Sequence, residues 1–213
     1  MSQTFDEKNP IFDVSKLKVS SETDQIMLVI PESYSSYSAK FYYYIKGPDD
    51  KWKEIINCDA HIGKDGLGKV KEGGEYKSPI GKFKFNYYFG IQDNPGTKMP
   101  YLKVKESHWW NCDSTKKEYN TMIDTDEYGN DFDKKPSEQI IKYELAYAYA
   151  MNISYNEERI PGKGSAIFLH CFTLNPYTFG CVAIPKEEMI KVLINVNEKC
   201  TIIIDEAKNI CNY

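Results

Sequence analysis

The apolar residues of this chain come in short runs of Tyr, Phe, Val, Ile and Thr cut by turn residues, and this patterning constrains the fold most. Such side chains fit a pleated, half-buried surface better than a helix interior. Gln25–Ile30, Lys40–Lys46 and Trp52–Cys58 read as strands, with Gly47-Pro-Asp-Asp50 as the turn between the last two. Phe83 and Phe85 alternate with Lys82 and Lys84, so the strand that Pro79 opens has one buried and one wet face. Asp93-Asn-Pro-Gly96 is a turn signal. From Tyr143 to Tyr155 every second residue is large, which predicts a short helical start at Ser137–Lys142 and then a strand. Ala166–His170, Cys181–Ile184 and Thr201–Asp205 are further strands. One clear helix starts at Pro185, with Glu187 and Glu188 in its first turn and an apolar stripe of Met189, Ile190, Leu193 and Ile194.

These elements predict a mainly β domain with one or two short helices over residues 25–213, preceded by a polar, loose extension over residues 1–24. A chain of 213 residues can bury a core without staples. Gly63–Gly74 reads as a loop, and Ser107–Lys135, with Trp109 and Trp110 inside it, as a long irregular one of functional interest. A net charge of −4 with signs interspersed gives no polyanion-binding surface, so no nucleic-acid partner is expected. No apolar run is long enough to span a bilayer as a helix. Met1–Pro10 is polar and shows no signal peptide. Two placements compete: a cytoplasmic protein, or an extracytoplasmic one whose export signal is not in this sequence. A monomer is expected.

Six cysteines at wide, irregular spacing do not make a disulfide framework. The expectation is one reactive thiol among inert ones, with Cys200–Cys211 a candidate pair in an oxidising compartment. The sharp candidate is Cys181, which follows Thr178-Phe-Gly180 and opens an apolar run. A thiol nucleophile needs a nearby base, because the thiolate is the reactive form. His170 closes the run Ile167-Phe-Leu and can serve. Buried, inert roles for both residues are the bland alternative. A zinc site would use His170, Cys171 and Cys181, but neighbours on a strand point to opposite faces and no fourth ligand is evident. No zinc is therefore expected, and thiol acyl transfer needs no organic cofactor. His108, beside two tryptophans, is a candidate cleft residue, and Arg159 is the only arginine available to clamp a carboxylate.

The segment Ile167-Phe-Leu-His170 followed by Thr178-Phe-Gly-Cys-Val-Ala-Ile184 resembles the active-site motif of the L,D-transpeptidases, the YkuD-type family, with a His at a strand end and then Ser/Thr-x-Gly-Cys. Ser78-Pro-Ile-Gly-Lys-Phe83 is similar to that family's Thr-Pro-x-Gly-x-Phe strand entry. The resemblance covers roughly Gln25 to Asp205 and implies a β-sandwich with the cysteine in a cleft. It implies Cys181 as nucleophile, His170 as base, Thr178 as the residue shaping the loop, and the Gly180 and Cys181 backbone N–H groups as the oxyanion site. Peptidoglycan stem peptides are the implied substrates and carbapenems the implied covalent inhibitors. Tyr177, Phe179 and Ala183 around the thiol, with Arg159 and His108 earlier in the chain, are candidate substrate contacts. The chain departs from the pattern at Phe179, where many members have His, at Ala183, where many have Arg, and at Cys171, where many have Gly or Ser. Papain-like enzymes place Cys before His in the chain and fit poorly. A thiol amidase and a non-catalytic wall-binding module remain as other readings.

Overall fold

The computed structural model describes residues 12–70 and 76–213. The strands are β1 (Gln25–Pro31), β2 (Ser38–Lys46), β3 (Trp52–His61), β4 (Leu67–Gly68), β5 (Ser78–Pro79), β6 (Gly81–Phe83), β7 (Phe85–Gly90) and β8 (Tyr101–Lys103). There follow β9 (His108–Asn111), β10 (Thr121–Asp124), β11 (Glu138–Gln139), β12 (Ala150–Ile153), β13 (Phe168–Cys171), β14 (Val182–Ile184) and β15 (Thr201–Ile204). The α-helices are α1 (Thr125–Tyr128) and α2 (Lys186–Asn195), so the chain is mainly β, as its patterning predicts.

Ten strands form one curled sheet in the order β6-β15-β1-β2-β3-β14-β13-β12-β7-β8. The curl lets distant strands share one core: Met27 and Val29 of β1 pack in the same cluster as Met151 and Ile153 of β12 and Leu169 of β13. Helix α2 closes this cluster with Met189, Val192 and Leu193. Ile194, expected on the apolar stripe, is instead exposed near the helix end.

β1 is buried along its whole length, which fits its unbroken run Ile26-Met-Leu-Val-Ile30. Its second face is covered by Val14, Leu17 and Val19, which lie in or between two short 3₁₀ turns. The stretch Asp13–Asp24 is therefore packed, not loose: three apolar side chains among the polar ones suffice to anchor it. The expected extension over residues 1–11 lies outside the described residues.

Two further expectations change. Within Ser107–Lys135 the chain forms the β9–β10 pair and then α1, whose first turn is capped by the Asp124 carboxylate accepting from the Asp126 N–H at 3.0 Å. Within Tyr143–Tyr155 only Ala150–Ile153 is strand, and Ala146–Ala148 is a 3₁₀ turn. Tyr143 and Leu145 are 46% and 56% exposed, so the large alternating residues do not share one face.

Candidate functional site

β13 and β14 pair in parallel, with Leu169 opposite Val182 and His170 opposite Ala183. Leu169, Cys171, Val182 and Ile184 enter the main core. Alternation then turns His170, Ala183 and Cys181 to the other face. This also separates Cys171 from His170 and Cys181, which removes the geometry a shared zinc or a Cys171–Cys181 disulfide would need. Cys181 lies two residues before Ala183, which makes it the diagonal neighbour of His170 on that face. Ala150 stands opposite His170 on β12, which leaves the imidazole between two alanines.

The His170 Nδ1 lies 2.8 Å from the Cys171 carbonyl oxygen. A carbonyl only accepts, so Nδ1 carries the proton and Nε2 is the basic nitrogen. Burial lowers the ring's pKa to about 4, with the Cys171 carbonyl pulling the other way. The ring is thus neutral at pH 7. The Cys181 thiol donates to the Ala166 carbonyl at 3.2 Å and accepts from the Phe168 N–H at 3.3 Å. Burial raises its pKa, the Glu138 charge adds to the effect, and the Phe168 N–H opposes it. The resting pair is a neutral imidazole beside a neutral thiol, without a hydrogen bond between the two.

The turn before Cys181 is tightly held. Thr178 donates its N–H to the Ile62 carbonyl at 2.9 Å and its hydroxyl to the Cys181 carbonyl at 2.7 Å. The Gly180 N–H donates to the Thr178 hydroxyl at 3.1 Å. That N–H is committed within the loop, which corrects its expected place in an oxyanion site. Gly180 has φ +132, and a Cβ there would sit 2.9 Å from the Lys77 carbonyl oxygen. The Ser78 hydroxyl accepts from the Gly63 N–H at 2.9 Å and donates to the Gly180 carbonyl at 2.7 Å. The two segments that carry the family resemblance therefore meet at one serine.

Of the candidate substrate contacts, Phe179 is 69% exposed and packs on Tyr76, with ring centroids 4.9 Å apart. Tyr177 continues this surface, touching Phe179 and Tyr37, with the Lys64 ammonium 5.5 Å from its ring centre. Ala183 is buried, which corrects its assignment to substrate. His61 stands opposite Ala183 on β3 and stacks on Phe172 with centroids 4.3 Å apart, a contact that must pass over β14. Alanine leaves room for that stack. His108 is also corrected: its Nδ1 accepts from the Lys105 N–H at 2.8 Å and its Nε2 lies 3.3 Å from Asp124, so both nitrogens are engaged. Arg159 sits on an exposed loop and donates to the Lys117 carbonyl at 3.1 Å, which removes it as a carboxylate clamp at the thiol. Cys200 is buried in the main core and Cys211 exposed, both as free thiols, so the candidate pair is not formed.

Three residues near the thiol were given no role by sequence. Asn120 is a saturated hub: its Oδ1 accepts from the Trp110 Nε1–H and the Ala166 N–H, both at 3.1 Å, and its Nδ2 donates to the Tyr155 and Asn156 carbonyls, both at 3.0 Å. Tyr147 sets its ring edge against His170 at 5.7 Å and against Phe168 at 5.4 Å. Its hydroxyl donates to Glu138 Oε2 at 2.5 Å.

Comparison of the chain with protein-family models, curated proteins and solved structures returns no match. Among the described residues, no helix is long and apolar enough to cross a membrane.

Proposed function

We propose that this chain is a cysteine acyltransferase of the L,D-transpeptidase kind, acting on peptidoglycan stem peptides outside the cytoplasm and so contributing to wall organisation and cell shape. The observation that carries the reading is the diagonal placement of Cys181 and His170 on one face of β13–β14. The tautomer of His170 supports it, because Nε2 is left to take a proton. In this reading the thiol turns from Ala166 and gives its proton to Nε2 as the sulfur attacks the carbonyl of the third residue of a tetrapeptide stem. Both groups are neutral at rest, so proton transfer accompanies attack and does not precede it. The peptide C–N bond breaks, and D-alanine leaves with the proton from the imidazolium. An amine of a second stem, or water in a carboxypeptidase variant, then cleaves the thioester.

The test is intact-protein mass spectrometry with a carbapenem. An adduct on the wild type and none on Cys181→Ala is expected, and an adduct that persists in the variant removes the assignment. Muropeptide analysis with the same pair reads the product.

A second reading is a non-catalytic wall-binding module. The observation in its favour is the engaged, neutral thiol beside the exposed rings of Tyr37, Tyr177, Phe179 and Tyr76. A Cys181 inert to iodoacetamide in the folded protein, together with no carbapenem adduct, would favour it.

A further inference from the structure

Glu138 is a half-buried acid next to the candidate site, with no cation to balance it among the described residues. Its Oε2 accepts from Tyr147, whose ring touches His170 and Phe168, and the Phe168 N–H reaches the Cys181 sulfur. Among the described residues, no Lys, Arg or His nitrogen lies within 4.0 Å of its carboxylate, and Oε1 accepts no hydrogen bond. The nearby lysines, Lys134 and Lys142, are drawn to the Trp109 ring, whereas the neighbouring Trp110 packs on Phe168. Burial of the carboxyl raises its pKa, and its charge also raises the thiol. A half-buried carboxylate with one oxygen unpartnered gains from a partner of opposite charge.

We propose that Glu138 recognises the ammonium group of the acceptor, so that the acyl group passes to a primary amine and not to water. The inference rests on the acyltransferase reading above. An incoming ammonium pairs with Oε1 and gives the carboxylate one proton, becoming a free amine. The amine nitrogen attacks the thioester carbon, and its second proton passes to His170 Nε2. The C–S bond breaks, an amide bond forms, and the imidazolium returns its proton to the departing sulfur. Glu138 then loses its proton to solvent. Tyr147 is a positioning residue that fixes Oε2 and leaves Oε1 open.

The experiment follows the partition of one acyl-enzyme. A synthetic tetrapeptide ending in D-alanine serves as donor. Acceptors are a lysyl peptide, cationic at pH 7, and a hydrazide of the same length, neutral at that pH. In Glu138→Gln the ratio of amine product to hydrolysed stem falls about tenfold, as expected for removal of one partner of a half-buried charge pair. The ratio for the hydrazide stays within about twofold, since no charge pair is lost there. In the wild type, the lysyl acceptor gives a higher ratio of amine product to hydrolysed stem than the hydrazide, an arm that needs no variant to fold. D-Alanine release with an unchanged lysyl ratio in Glu138→Gln, or a wild type that does not favour the cationic acceptor, overturns the role of Glu138 alone. Absence of both D-alanine release and a carbapenem adduct in the wild type overturns the acyltransferase reading, and this inference with it.

Discussion

The Cys181 thiol donates to the Ala166 carbonyl at 3.2 Å, and Ala166 itself stands at φ +58, a left-handed conformation unfavourable to alanine. Its N–H is held by Asn120 Oδ1, so one asparagine fixes the peptide that holds the thiol. Asn120→Ala strands the Trp110 Nε1–H and the Ala166 N–H along with two carbonyls. A loss of about 3 kcal/mol is expected, measured by urea unfolding, with faster alkylation of Cys181 in the fraction that stays folded. Ala166→Gly relieves backbone strain and should gain about 1 kcal/mol in the same assay.

Stability should rise with pH between about 4 and the ordinary histidine value of 6.5, because of His170. In that window the unfolded chain binds a proton that the buried ring refuses. The contribution is complete above the unfolded value and lost as pH falls through the folded one, a span worth about 3 kcal/mol. Glu138, whose folded pKa is raised, opposes the trend as pH climbs past its unfolded value. Urea midpoints of wild type and His170→Gln across pH 4–7 separate the two, and equal slopes would remove the buried-neutral assignment.

Gly180 and Ser78 hold the loop ahead of the thiol. Gly180→Ala places a Cβ against the Lys77 carbonyl at a positive φ, for an expected cost of roughly 1–3 kcal/mol. Ser78→Ala leaves the Gly63 N–H and the Gly180 carbonyl unpaired, with a cost of about 2 kcal/mol. Both should slow carbapenem adduct formation more than they lower the melting temperature would suggest, and equal effects on both readouts would argue against a shaped loop.

Ala183→Leu forces a branched side chain under the His61–Phe172 stack and between two histidines. Overpacking here should cost about 1–3 kcal/mol. Near-ultraviolet circular dichroism of Phe172→Leu with and without the second change tests whether the ring stack is what leucine displaces.

The central strands could be read from the sequence because Ile26–Ile30 and Thr201–Ile204 are apolar runs that only a doubly covered sheet can bury. Cys181 and His170 stood out because each ends or begins such a run. Their shared face depends on a register set by long-range pairing, which a single strand does not encode. The roles of Asn120 and Glu138 were hidden for the same reason: Asn120 meets Ala166 across 46 residues of chain. His108 misled through its tryptophan neighbours, since its two nitrogens are taken up by Lys105 and Asp124. Residues 12–24 misled because composition averages out the three side chains that anchor them.

β13 and β14 lie in the interior of the ten-strand order, with neighbours on both sides. Edge fraying cannot reach them, and a one-residue slip of either would turn its whole row of side chains inward. The thiol and the imidazole should therefore be kinetically shielded as one unit. The amide protons of β13 and β14 should exchange only with global unfolding, and heat should abolish thiol chemistry at the melting transition and not in advance of it.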